Sequence, residues 1–540
     1  MSPVTPLPTK RTSPNILFYI ADDITLNALG CYGRGLPTPV LDRLAARGMR
    51  FSNLWCASAV CTPSRFNYLT GAYGSRCSHP DFIAGVPKGG ACSVEFNTWL
   101  DGQMPTMGSL FRAAGYRTGF AGKWHNSPDA EHLGCEPLDS NASPDDPGMN
   151  EALARRQRIL SEEVRRVGGY EHVGGVLWGN PSEEPLKALQ AHHLEWSLDH
   201  ALHFLDGCSD EQPFLLHYAS TCYHGPNMVD TVGKHDMLNT PEGRMAAPPS
   251  SAIPRSSWKK LCEQAGLPFD HESITFLWMD REMELLTRRL EELVLLDNTI
   301  VVFAGDHGNE PGKGTCYDSG SRIPLILAGP GVPVGQVFSH PAQNVDLLPT
   351  LAGLAGLHLP SGAAPDGIDL GKVWRGEAGP REHVYLENGF TRAVRTKDWK
   401  YIVRQMPEAV AGTFEAGEAA VLFDHYGHKW AFPALRIAAS MYPGFFDPEQ
   451  LYSLTEDAEE QRNLAANPAC RAVLGTMQRL LLSEIRRLPH GFEILPETVP
   501  KTLPPGLIEH TRRVYSSDSI AWWPEALERY ERHFRGRVFC

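Results

Sequence analysis

The chain has 540 residues, 42% of them hydrophobic and 21% charged, which excludes disorder as the dominant state and predicts one large domain with a smaller one. Against 63 Asp and Glu stand 50 Lys and Arg, a net charge of −13, which argues against a general binder of nucleic acid or of anionic membranes.

In chain order, the first fourteen residues hold four prolines and lack the apolar core of a signal peptide, so a cytoplasmic location is expected. Asn15–Ala21 is a continuous apolar run, as in a strand buried on both faces, and it stops at Asp22 and Asp23. Runs at 213–219, 299–304 and 324–328 have the same character, and 116–121 is strand-like. Amphipathic helical spacing occupies 186–205 and 276–296. Strands alternating with helices predict a mostly parallel sheet covered on both faces. No apolar run approaches the ~20 residues that span a bilayer.

The stretches 126–179 and 226–254 are rich in Pro, Gly, Asp and charge and are expected to be excursions from the core. Beyond the Gly/Pro-rich 359–379, shorter strands at 384–387, 391–396 and 399–404 predict a small antiparallel domain. The expected units are a catalytic domain over 1–378, a small α+β domain over 379–490, and a helical tail of unassigned role over 491–540. Twelve cysteines with no Cys-x-x-Cys pair do not form a disulfide framework or a zinc knuckle.

Two of the apolar strands end in acids, Asp22-Asp23 and Asp306-His307. Alone, an Asp at a strand end caps the following turn. Together, at the carboxyl edge of a parallel sheet, three acids and an imidazole make a divalent-cation site, oxygen-rich and suited to Ca²⁺ or Mg²⁺, with Mn²⁺ kept in play by the histidine. Cys61-Thr-Pro-Ser-Arg65 leads into Phe66-Asn-Tyr-Leu-Thr70 and is closed by Gly71. It is an ordinary helix start with Thr62 as cap and Pro63 at the first helical position, or else residue 61 meets an anion at a helix N-terminus with Arg65 one turn on. Lys123 and His125, two residues apart in extended chain, point the same way and suit anion binding beside proton transfer. His224 and Lys313 are each either catalytic or ordinary.

This ordered set resembles the formylglycine-dependent sulfatases of the alkaline-phosphatase superfamily. The resemblance rests on Cys61-Thr-Pro-Ser-Arg65 with Leu69-Thr-Gly71, Asp22-Asp23, Gly122-Lys-Trp-His125, Cys222-Tyr-His-Gly-Pro226, Asp306-His-Gly308, Gly312-Lys-Gly-Thr-Cys-Tyr317 and Arg322-Ile-Pro-Leu-Ile326. It runs on through Asp398-Trp-Lys-Tyr401 and Gln450 to Ala465, covering roughly 14–485. It implies an alkaline-phosphatase-like α/β fold and a Cys61 oxidised to formylglycine by a separate maturase, its hydrate supplying the attacking oxygen. It also implies a metal, usually calcium, held by Asp22, Asp23, Asp306 and His307. The metal and Arg65 would then favour the ionised hydrate, Lys123 and Lys313 with the metal would neutralise charge on the sulfuryl oxygens, His224 with Lys313 would protonate the departing alkoxide, and His125 would take a proton from the second hydroxyl so that sulfate leaves.

Two departures concern the pocket rim: Asn126-Ser-Pro128 follows His125, and the turn after Gly71 lacks the family's usual Pro-x-x-His-Gly. The expected activity is hydrolysis of a sulfate ester on a sulfated small molecule or oligosaccharide. Alternatives are a formylglycine-dependent phosphonate monoester or phosphodiester hydrolase and a non-catalytic binder of sulfated glycans. Aromatic and carboxylate groups suit sugar rings, which makes His79, Asp81, Glu95, Asn97 and Trp99 candidate substrate contacts; as surface loop residues they would do nothing of the kind.

Overall fold

The computed structural model describes residues 13–33, 36–86, 91–249, 251–309, 312–404, 438 and 441–491. The strands in chain order are β1 (Asn15–Ala21), β2 (Met49–Phe51), β3 (Leu54–Trp55), β4 (Arg117–Lys123), β5 (His172–Leu177), β6 (Phe214–Ala219), β7 (Asn239–Thr240), β8 (Gly243–Arg244), β9 (Thr299–Gly305), β10 (Leu325–Ala328), β11 (Gln336–Phe338), β12 (Ala342–Gln343), β13 (Val384–Asn388), β14 (Thr391–Arg395), β15 (Trp399–Arg404) and β16 (Glu449–Ser453). Eight of them form one sheet in the order β11-β2-β10-β9-β1-β6-β4-β5. From β9 to β5 the neighbours run parallel; β10 runs antiparallel to β9 and β2.

β1 is apolar throughout because it lies at the centre, bonded to β9 and β6, with alternate side chains feeding two cores. Ile16, Phe18 and Ile20 pack with Phe66, Tyr68 and Leu69 of the Cys61–Thr70 helix. Leu17, Tyr19 and Ala21 pack on the opposite face with the Leu194–Asp206 and His271–Glu292 helices.

Three expectations need correction. The stretch 126–179 is not merely an excursion: it holds the Pro147–Glu163 helix and β5, one of the sheet's two edge strands. β5 escapes an apolar pattern because Gly174 and Gly175 let His200 of the neighbouring helix lie against its backbone, and a bulge interrupts its register with β4. The helix expected from 186 begins at Leu194 after a single tight turn at Lys187–Leu189, and the one expected over 276–296 is His271–Glu292, started by an Asp270 cap on Ser273 N.

β13 to β16 form a separate antiparallel sheet in chain order. One face packs on the Arg471–Ile485 helix; the other meets Trp55, Cys316 and Tyr317. The tail expected over 491–540 lies, apart from its first residue, outside the described residues. No described cysteine is in a disulfide, and no described helix is long and apolar enough to cross a membrane.

Behind the sheet, Glu282 is buried and accepts hydrogen bonds from Tyr19 (2.5 Å), Tyr218 (2.6 Å) and Ser220 (3.0 Å). Burial pushes its carboxyl up to about 7 against the pull of those donors. A carboxyl raised in the fold contributes stability that is full below its unfolded value of ~4.3 and is lost as pH rises through about 7. The stability of Glu282→Gln relative to the parent is therefore expected to rise by about 2–3 kcal/mol between about pH 5 and about pH 8. Denaturant melts across that range check this, and a pH-independent difference contradicts it.

Candidate active site

The parallel register of β1 with β9 places Ala21 opposite Gly305, so the acids that follow each strand meet. Asp306 Oδ1 accepts from the backbone N–H of Asp23 (2.8 Å) and of His307 (2.7 Å). Asp23 takes the left-handed backbone region at φ +62°, which re-aims its side chain at the cost of roughly 1–3 kcal/mol.

The Cys61–Thr70 helix docks on these strand ends through Tyr68 Oη to Gly305 O (2.9 Å) and Ser64 Oγ to Asp306 O. Its cap is Val60, not Thr62: Ser64 N bonds Val60 O, which makes Cys61 the first helical residue and Pro63 the third. Gly71 ends it at φ +63°, as the motif suggests. Cys61 Sγ consequently lies 3.1 Å from His307 Nε2, 3.4 Å from Lys123 Nζ and 3.5 Å from Asp22 Oδ1.

Lys123 closes β4, and Gly122 before it is required: its φ is +103°, and a Cβ there would meet Ala219 O at 2.0 Å. The three N–H bonds of Lys123 are all assigned, to Asp22 Oδ2 (2.6 Å), Asn180 Oδ1 (2.6 Å) and Cys61 Sγ. Arg65 bonds Lys123 O (3.0 Å) and pairs with Asp306 Oδ2 (3.1 Å). Lys313 pairs with Asp23 Oδ2 (3.2 Å). Lys123 and His125 do not share simple extended chain, because His125 sits at φ +60°, where its N–H reaches Trp178 O (2.6 Å) and its ring lies between Phe96 and Trp178. Asn126, the departure noted in the sequence, is buried and bonds Thr62 O (2.8 Å), tying this loop to the signature helix.

Burial would raise the Asp22 carboxyl, but Lys123, with Arg65 and Lys313, holds it well below the usual range. Burial together with Asp22 raises Asp306 against His307 and Arg65. Against burial, Asp306 and the Cys61 sulfur push His307 up to about 9. Three buried carboxylates thus draw positive charge inward, as a proton or as a cation. Oxygen donors of Asp22 and Asp306, His307 and Cys61 Sγ lie within 4.8 Å of one another, while Asp23 flanks them with Oδ1 buried and without a hydrogen bond, 3.4 Å from His307 Nδ1. Asp22, Asp23, Asp306 and His307 fit a hard divalent cation in number and chemistry.

Burial, with Lys123 and Arg65, lowers His125 far below its ordinary range, and its Nδ1 has no hydrogen-bond partner among the described residues. Burial and Lys313 push His224 down to about 3. Both imidazoles are held neutral beside the cations.

The candidate substrate contacts make these contacts within the chain. His79 caps the Pro80–Ala84 helix through Asp81 N and lies edge-on to Trp99, Asp81 is exposed, Asn97 bonds Glu95 N and Ser93 O within its own loop, and Glu95 is buried against Gly389. From that loop it is Phe96 that touches a site histidine. Sequence reasoning also missed Asn180, whose amide is oriented by Glu183: Oε1 accepts from Asn180 Nδ2 and Oε2 from its backbone N–H, both at 2.8 Å. The Asn180-Pro-Ser-Glu183 capping spacing is visible in the sequence, but its approach to Lys123 is tertiary.

A sequence model described as sulfatase matches residues 14–357. Human arylsulfatase A is 28% identical over 492 residues, covering 84% of each chain. The N-acetylgalactosamine-6-O-sulfatase of Bacteroides thetaiotaomicron is 25% identical over 515 residues, covering 84% of this chain and 89% of that one. In fold, the chain is similar to a solved complex of a protein with its substrate D-glucosamine-2-N,6-O-disulfate, with a TM-score of 0.57, 20% identity, and coverage of 88% and 98%. The matched segment spans both carboxylate pairs, the signature helix and every side chain placed around Cys61, and the chain belongs to the sulfatase family of sulfuric ester hydrolases.

Proposed function

We propose that the chain hydrolyses a sulfate ester on a carbohydrate, using residue 61 matured to formylglycine as the source of the attacking oxygen. The observation that carries this is the position of Cys61: first residue of a buried helix, with Lys123, Asp22 and His307 all within 3.5 Å of its sulfur. An oxygen on residue 61 meets cations where a sulfuryl group develops charge. Relatives named for sulfated sugars, including the N-acetylgalactosamine-6-O-sulfatase, support the carbohydrate reading.

A calcium ion held by Asp22, Asp23, Asp306 and His307 would supply positive charge beside the attacking and sulfuryl oxygens. Arg65 and Lys123 hold the carboxylates that frame residue 61, and Lys123 aims its remaining N–H at that residue. Lys313, anchored by Asp23, faces the same centre. His125, neutral and with Nδ1 unpartnered among the described residues, is the base that takes a proton when sulfate is expelled. His224 spends its Nδ1–H on Gly225 O (3.1 Å), so the proton for the leaving oxygen is one that Nε2 takes up when the negatively charged ester binds, and it passes to that oxygen with the Lys313 ammonium alongside. The sulfate ester's negative charge opposes the shift that holds His224 neutral.

Co-expression with a formylglycine-forming maturase is expected to convert the Cys61 thiol to an aldehyde by peptide mass spectrometry. The matured enzyme should release sulfate from an aryl sulfate with calcium, and Cys61→Ala or chelation should abolish turnover. Maturation without sulfate release, or a preference for an aryl phosphonate by orders of magnitude, would overturn the assignment in favour of phosphorus chemistry. A second expectation concerns Asn180. Asn180→Ala removes the acceptor that fixes Lys123, so kcat/KM should fall on the order of 10- to 100-fold, equally for good and poor leaving groups. Inhibition by inorganic sulfate should weaken in parallel; a loss of thermal stability with sulfate affinity unchanged would assign Asn180 a structural role only.

A further inference from the structure

Two imidazoles outside the reacting cluster grip the loop that carries His224. His192 is buried at 1% exposure, with Nδ1 2.8 Å from Thr221 Oγ1 and Nε2 2.9 Å from Pro226 O. His271 opens the His271–Glu292 helix; its Nδ1 lies 3.0 Å from Met228 N, its Nε2 3.2 Å from Tyr223 O, and its ring 4.8 Å from the Tyr223 ring.

The partners assign the protons. A carbonyl only accepts, so Nε2 of each ring carries the hydrogen; the Met228 amide only donates, so His271 Nδ1 bears a lone pair, and His192 Nδ1 is left to accept from the Thr221 hydroxyl. Both rings are neutral and in the same tautomer. Burial pushes His192 down to about 3, in keeping with that assignment.

Together the two rings hold four points of the loop, Thr221 and Tyr223 before His224, Pro226 and Met228 after it. The same loop is bonded to the carboxylate-bearing strand end, through Asp22 N to Cys222 O (2.6 Å) and Tyr223 N to Asp22 O. A loop without regular structure has few internal partners for its backbone, and here the imidazoles provide them. A residue carried by such a loop is only as well placed as its anchors, and a misplacement of about 1 Å can cost on the order of 10²-fold in rate.

We propose that His192 and His271 are positioning residues that set His224 against the leaving oxygen, and that they thereby enable cleavage of sulfate esters of weakly acidic alcohols, the class to which sugar hydroxyls belong. This rests on the leaving-group role given to His224 above. A strongly acidic phenol departs as a stable anion and needs no proton, whereas a sugar alkoxide does. The clamp therefore matters in proportion to the basicity of the leaving group.

The test compares matured His192→Ala, His271→Ala and His224→Ala on aryl sulfates graded from para-nitrophenyl to unsubstituted and alkyl-substituted phenyl sulfate. For both clamp variants, kcat/KM should change little on the nitrophenyl ester and fall on the order of 10²-fold on the least acidic phenols, the same steepening expected of His224→Ala. His271→Asn, whose amide oxygen can accept from Met228 N, and His192→Gln, whose amide can donate to Pro226 O, should recover part of the loss; they also serve where an alanine variant does not fold. A uniform fall across the series overturns the positioning role. If His224→Ala itself causes no steepening, the role of His224 falls and the clamp's with it; if His224→Ala steepens the series and the clamp variants do not, the clamp alone is wrong.

Discussion

The pairing of β1 with β9 is the constraint on which the site depends. Because the strands run parallel and in step, Asp22 and Asp306 leave the sheet at one level, and two short acidic sequences nearly three hundred residues apart become one buried cluster. Buried carboxylates repel one another and lose their hydration, and they remain inside only where positive charge meets them. Arg65, Lys123 and Lys313 supply it, each from a different element: the signature helix, the end of β4 and the loop after β9. The cluster therefore pins the surrounding elements by charge, and residue 61 lies where the cations and carboxylates meet.

The same balance explains why the cations are held so tightly. A lysine in solvent carries three donors with no fixed direction. Lys123, buried between Asp22, Asn180 and Cys61, has one direction for each donor. Glu183 completes the arrangement by orienting the Asn180 amide, since a flipped amide would set its NH₂ against the ammonium and its oxygen against the carboxylate. Preorganisation of this kind is what makes electrostatic stabilisation effective, since no dipole has to turn as charge develops.

Much of this was legible in the sequence, for physical reasons. Strands buried on both faces are continuous apolar runs, so β1, β6, β9 and β10 announce themselves, and acids at their carboxyl ends stand out. The Cys61 motif is a helix start whatever its chemistry, although its cap is Val60 rather than Thr62. β5 was hidden because an edge strand with two glycines need not be apolar. Asn180, Phe96, His192 and His271 were hidden for another reason: each acts through a contact between segments far apart in sequence, and nothing in local spacing reveals which backbone group a buried imidazole will meet.

The small antiparallel sheet also belongs to the site's mechanics. Gly314 N bonds Ala59 O just before the signature helix, so the Lys313 loop is tied to the segment that carries Cys61. From behind, Lys400 of β15 bonds Cys316 O (3.1 Å) and Asp318 Oδ1 (2.5 Å) and pairs with Glu460 (2.7 Å), while Tyr317 stacks on Tyr442 at 3.7 Å. Lys400 is fully buried, and such a charge is stable only with all its partners in place. The loop bearing Lys313 is thus clasped between the Cys61–Thr70 helix and the small sheet's buried lysine. The Lys313 ammonium beside Asp23 is thereby supported through its loop from two sides, and the second sheet provides the side that the first cannot reach.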